Sequence, residues 1–209
     1  MQAKTETSVL KQTAVVSAIA LAASVAHASD WDLDPVHTTA AFSVRHMMVT
    51  NVRGEFDKVS GSVSLDDEHP EKSSVQVTID VNSINTRNEQ RDNHLKSADF
   101  FDAANHPQLT FESTKVQKAG AGHFKVTGNL TMRGVTKSVV LDVEGPTAAI
   151  KNPWGKTVRG VSVSGKLNRK DWGLNWNTAL ETGGVVVGEE VKLQIDAELI
   201  QREGALALK

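Results

Sequence analysis

Asp30, Asp32 and Asp34 alternate near the start of the chain, the spacing with which a calcium loop begins. Such a loop next needs a glycine for its sharp turn and a bidentate glutamate to close it. Pro35 and Ala41 stand at those two places, so calcium is not expected. Beyond residue 28 the histidines are His37, His46, His69, His94, His106 and His123, and no two fall at i, i+2 or i, i+4. That spacing offers no metal pattern, and only a site assembled in space stays open. Gly160-Val161-Ser162-Val163-Ser164-Gly165 is a near miss of the G-x-S-x-G nucleophile elbow. Its serines alternate with valines, which is how a strand presents ordinary surface hydroxyls. Gly120-Ala121-Gly122 has no Lys-Ser/Thr after it, so it reads as a turn and not as a phosphate cradle. No catalytic residue, metal ligand or required cofactor is assigned from these motifs.

The most distinctive polar stretch runs from Asn85 to Asp102. Thr86 followed by Glu89 reads as a capping box, in which hydroxyl and carboxylate satisfy two orphan N–H groups reciprocally. The helix that follows has one large apolar residue, Leu95, before the Phe100-Phe101 pair. A helix so polar cannot hold itself by burial. It must lie across something else as a strap, anchored by Leu95, Phe100 and Phe101. Asp92 and Lys96 form an i, i+4 pair of the stabilising kind.

What it lies across is β structure. Ala40, Phe42 and Val44 alternate with Thr39, Ser43 and Arg45. Val52 and Phe56 lead through Asp57-Lys58 into Gly61, Val63 and Leu65. Val75, Val77, Ile79 and Val81 follow, then Leu109 and Phe111 in a strand to about Gln117. Phe124, Val126, Gly128, Leu130 and Met132 form the next apolar face, and Arg133-Gly134 signals a tight hairpin. Val139, Leu141 and Val143 return; Val161, Val163, Gly165 and Leu167 come next; Val191 to Leu199 closes the chain. These are about eight single-faced strands, a pattern of antiparallel pairing. They bury their apolar faces either in a sandwich or in a closed barrel. Inward positions rich in Val, Leu and Ile favour a barrel with room for one small ligand.

The spacing of Trp172, Leu174 and Trp176 puts them on one side if extended. They serve either as a plug at one end of the core or as a rim of large rings around a greasy opening. Arg87, Arg91 and His94 are either solvated strap charges or contacts for a polar head group at the barrel mouth.

The 209-residue chain fits one domain, with a formal net charge of −2. Lys4 and Lys11 precede the apolar run Ala14 to Ala23, and Ala26-His27-Ala28 supplies a small-x-small cleavage pattern. Residues 1–28 therefore read as a secretory signal peptide, residues 29–202 as the barrel and residues 203–209 as a tail. Without residues 1–28 the net charge becomes −3, since Lys4, Lys11 and Glu6 leave. This near-neutral balance gives no footprint for nucleic acid. No other segment is long and apolar enough to span a bilayer. With no cysteine, stability must come from an ordinary core.

Several motifs in order resemble the YceI-like family of bacterial periplasmic proteins over the chain beyond the leader. They are Asp34-Pro35-x-His37, Phe42-Ser43-Val44-Arg45-His46, Val52-Arg53-Gly54-x-Phe56, and Asn88-Glu89-Gln90-Arg91-Asp92-x-His94-Leu95-Lys96-Ser97-x-Asp99-Phe100-Phe101-Asp102. Thr127-Gly128-x-Leu130-Thr131-x-Arg133-Gly134-Val135-Thr136 and Asp171-x-Gly173-Leu174-Asn175-Trp176-Asn177 complete the likeness. Trp172 stands where another aromatic, usually Phe, is expected. The resemblance implies an all-β, eight-stranded antiparallel, lipocalin-like barrel with a short helical insert between the third and fourth strands. It implies a periplasmic protein that encloses a polyisoprenoid lipid, a quinone or a prenyl diphosphate, for transport, storage or stress response, and that is not an enzyme. The lining expected is Phe42, Val44, Val77, Ile79, Phe111, Leu130, Met132, Leu141, Val163 and Leu167, with Phe100, Phe101, Trp172, Leu174 and Trp176 near the ends. An isoprenoid or fatty-chain lipid is the expected partner, and a homodimer stays open. The rivals are an enzyme acting on a lipid or stress metabolite through His46 or His94, and an interaction module with a solid core.

Overall fold

The computed structural model describes residues 28–181 and 183–203. The leader assigned to residues 1–28, apart from Ala28, and most of the tail lie outside them. Twelve strands form: β1 (Ser29–Leu33), β2 (Thr39–His46), β3 (Thr50–Phe56), β4 (Val59–Leu65), β5 (Ser74–Asp80), β6 (Ile84–Asn85), β7 (Gln108–Gly120), β8 (His123–Met132), β9 (Val135–Glu144), β10 (Ile150–Lys151), β11 (Thr157–Asn168) and β12 (Val187–Gln201). One helix, α1 (Glu89–Lys96), sits between β6 and β7.

Eight strands close a ring in the order β1-β4-β5-β7-β8-β9-β11-β12, every pair antiparallel. The fold is thus a closed eight-stranded barrel with extra strands. Closure leaves the ring without an exposed edge. Long strand β12 serves two partners along one edge: β2 from Val187 to Asp196, then β1 from Leu199 to Gln201. β2, β3 and β6 continue outward from that edge as an extension of the wall.

The strand count of eight holds for the ring, but its membership differs from the sequence reading. The run from Val52 to Leu65 breaks at Asp57-Lys58 into β3, in the extension, and β4, in the ring. β1 takes the remaining ring position. Asp30 and Asp32 mask it as a polar segment, yet they are only its outward residues, while Trp31 is 2% exposed against Val63 and Leu199. The three aspartates hold no loop: Asp32 pairs with Arg202 and Asp34 with His37.

Arg133 and Gly134 adopt φ of 49° and 72°, the left-handed pair that a two-residue hairpin turn requires. Gly54 has a different use, because a Cβ there would lie 2.6 Å from Phe42 Cζ. The missing side chain lets the Phe42 ring lie against the wall.

Candidate functional site

The inward side chains do not meet in the middle. They surround a chamber of about 480 Å³ that runs the length of the barrel and is lined almost wholly by hydrocarbon. A solid-core module would have had those faces interdigitate. Filling such a space is worth on the order of 10 kcal/mol at about 24 cal/mol per Å³. That is comparable with a domain's whole stability.

Fourteen of the fifteen residues expected at the chamber line it: Phe42, Val44, Val77, Ile79, Phe100, Phe101, Phe111, Leu130, Met132, Leu141, Val163, Leu167, Trp172 and Leu174. Trp176 lies outside, its ring stacked edge-on to His94 at 4.9 Å and tilted against Phe100 at 5.3 Å. Residues read as alternating but not singled out, including Leu109, Phe124, Val126, Leu193 and Ile195, also face the space.

One end is closed. Trp172 and Leu174, 2% and 4% exposed, wedge into it, and Trp172 Nε1 donates to the Leu130 carbonyl at 3.1 Å. Trp172 and Leu174 take the position of a plug while Trp176 does not, and the motif is not an extended strand. Residues Arg169–Trp172 make a turn of 3₁₀ helix that ends on left-handed Gly173. The strap covers the same end. Leu95 and Phe101 pack on the core, and the Phe101 ring meets Phe56 edge-on at 5.8 Å. Arg133 ties the two together by donating to the carbonyls of Gly173 and Ala98, each at 2.8 Å.

The strap itself is capped differently from the sequence reading. Asn88, not Thr86, is the N-cap, its side chain accepting from Arg91 N at 2.8 Å. Thr86 is 4% exposed and held by α1: its N–H and hydroxyl donate to Asp92 Oδ1 at 2.9 and 2.5 Å. Asp92 is thereby turned inward, away from the expected partner Lys96. Arg91 completes the knot, Nε donating to Thr86 Oγ1 and Nη2 to its carbonyl, both at 2.7 Å.

None of Arg87, Arg91 and His94 is among the chamber-lining residues. Arg87 is exposed, and His94 bonds Asp99 at 2.9 Å. The cations in the lining are Arg159 and Arg169, one towards each end. Arg169 is 5% exposed at the plugged end. Its guanidinium donates to the carbonyls of Gly188 at 2.9 Å, of Val187 at 3.3 Å and of Leu174. Burial pushes its pKa down, partly opposed by nearby Glu189, which itself pairs with Lys170. Sequence gave no cue to it, since an arginine after a strand usually faces water.

At the opposite end the lining passes onto the exposed loop residues Asp67 and Gly122, where the chamber meets solvent. Arg159 Nη1 bridges this mouth to both oxygens of Asp67 at 2.8 and 3.0 Å. Its guanidinium lies 5.6 Å above the Trp31 ring, and its Nε donates to the Thr147 carbonyl. Among the described residues, no helix is long and apolar enough to cross a membrane.

The YceI-like domain model matches residues 31–199. A UPF0312 protein of Staphylococcus aureus is 41% identical over 171 residues, covering 81% of this chain and 96% of that one. The crystal structure of a Campylobacter jejuni YCEI protein superposes with a TM-score of 0.64 at 35% identity, over 76% of this chain and 90% of that chain. BcnA of Burkholderia cenocepacia gives a TM-score of 0.67 at 25% identity, over 79% and 98%. A polyisoprenoid-binding domain from Saccharophagus degradans shares the fold at a TM-score of 0.57, with 17% identity over 84% and 99%. The match over almost the whole described chain, and the barrel it shares with these relatives, place the protein: it belongs to the YceI-like family.

Proposed function

We propose that this protein is an exported, non-catalytic carrier that encloses one long-chain isoprenoid lipid, a quinone or a prenyl diphosphate, in its barrel. The observation that carries this reading is the hydrocarbon-lined chamber of about 480 Å³, open at one end and plugged at the other. Its size falls within the range of small-molecule sites, and its lining supplies affinity by burial, at roughly 25 cal/mol per Å² of apolar area before binding costs. The fold shared with the polyisoprenoid-binding domain of S. degradans supports the reading. The periplasm is the compartment the leader points to, and holding or moving a water-insoluble lipid there is the role. Arg159, at the mouth, is the head-group contact we put first, ahead of Arg87, Arg91 and His94 outside the lining.

Titrating delipidated protein with geraniol, farnesol and geranylgeraniol tests the reading. Each added unit brings five carbons at about 0.8 kcal/mol per buried methylene. Affinity should rise at least tenfold per step while the chain still fits. Equal affinity along the series, or none at all, would overturn it. Comparing geranylgeranyl diphosphate with the alcohol, in wild type and Arg159→Gln, reads whether the head group sits at the mouth.

A further inference from the structure

Outside the barrel, two neighbouring side chains of the segment after β1 converge with a third from β12, near the far end of the chain. His37 Nδ1 lies 2.8 Å from Asp34 Oδ2 and 3.9 Å from Glu198 Oε1, and one ligand atom from each lies within 4.8 Å of the others. We propose that Asp34, His37 and Glu198 form a binding site for a divalent transition cation such as Zn²⁺, clamping the seam where β1 gives way to β2 along β12.

Backbone bonds already hold the cluster. Asp34 is buried, and its second oxygen, Oδ1, accepts from Val36 N at 2.8 Å, which fixes the carboxylate. Asp34 N donates to the Glu198 carbonyl at 2.8 Å, which sets the two acids side by side. A fixed ligand with its own hydrogen-bond partner is how metal sites orient their first contacts. The His37 side chain is 52% exposed, so water can complete the coordination. One imidazole with two carboxylates suits zinc at about 2.0–2.2 Å per bond. Calcium and magnesium want six or more oxygens and are a poor match.

The cluster borders an outer groove of about 560 Å³ lined also by His123, Glu144 and Asp196. Arg159, the cation in that lining, is committed to Asp67. The local field therefore favours a cation. Between Asp196, paired with β2, and Leu199, paired with β1, the β12 edge takes the Asp34 N–H. Thr38, next to His37, lines the chamber and carries a buried hydroxyl with no partner. A cation on His37 thus grips the segment that leads directly into the chamber wall. Spacing could not reveal this site, because its third ligand comes from the far end of the chain.

Equilibrium dialysis of the full-length mature protein against Zn²⁺, with the visible spectrum of a Co²⁺ substitute, tests the site. The expected result is one equivalent bound. Glu198→Gln and His37→Gln should each weaken it by more than tenfold, while His106→Gln, beside Gly134 at the plugged end of the barrel, leaves it unchanged. Glu198→Gln keeps the His37–Asp34 pair, so its effect separates a metal site from an ordinary ion pair. Failure to take up Zn²⁺ at micromolar concentration would overturn the proposal. So would uptake equal in wild type, Glu198→Gln and His37→Gln.

Discussion

Val163→Trp separates a hollow barrel from a filled one. Val163 lies midway along β11, between Val143 and Ile195 in the wall, and lines the chamber. In a tightly packed core such an enlargement costs about 1–3 kcal/mol. In a hollow barrel the indole extends into the chamber of about 480 Å³ and meets no wall. The delipidated variant should then be as stable as wild type, or more stable by up to ~1 kcal/mol. Its lipid affinity should fall, because the ring displaces roughly four methylenes of tail at about 0.8 kcal/mol each. That is about 3 kcal/mol, a loss of roughly a hundredfold in affinity. Urea denaturation of delipidated protein and a geranylgeraniol titration read the two quantities separately. Lost stability with unchanged lipid binding would refute the reasoning.

Other perturbations probe the parts that frame the chamber. Gly54→Ala places a methyl 2.6 Å from Phe42 Cζ and 2.7 Å from Thr86 Cγ2, and should cost about 1–3 kcal/mol, read as a lowered thermal midpoint. Thr86→Val removes the hydroxyl that joins Asp92 and Arg91. About 1–3 kcal/mol should be lost, with faster hydrogen exchange in Glu89–Lys96. Asp32 is held below its ordinary value of 3.8 chiefly by the Arg202 hydrogen bond. A depressed carboxylate pKa contributes stability above the unfolded value, and that stability is lost as pH falls through the folded one. Wild type should therefore exceed Asp32→Asn slightly above pH 4, by under ~1 kcal/mol for so exposed a pair. The gap should close in stronger acid, as denaturation midpoints across pH will show.

Alternation made most of the wall legible, because a strand with one buried face writes its period into the sequence. Val77 and Ile79, or Leu130 and Met132, needed no structure to be placed inward. Closure was not legible in the same way. A sandwich and a barrel bury the same faces, and what distinguishes them is the pairing of β12 with both β1 and β11. β1 is short and carries Asp30 and Asp32, so its two inward residues gave too little period to register. The strap's anchors were readable from Leu95, Phe100 and Phe101, while its cap was not. Asn85 still belongs to β6, and Thr86 answers to Asp92 one turn into the helix, which moves the cap to Asn88. Arg169 left no trace, since its bonds all go to backbone carbonyls that the fold alone brings near.

Native mass spectrometry of the mature protein, purified from its own host without detergent, weighs the barrel's contents directly. A mass excess of a single isoprenoid lipid per chain, released on denaturation and identified in the organic extract, is the predicted result. A bare chain mass from protein that also refuses ubiquinone and geranylgeranyl diphosphate after delipidation would contradict it.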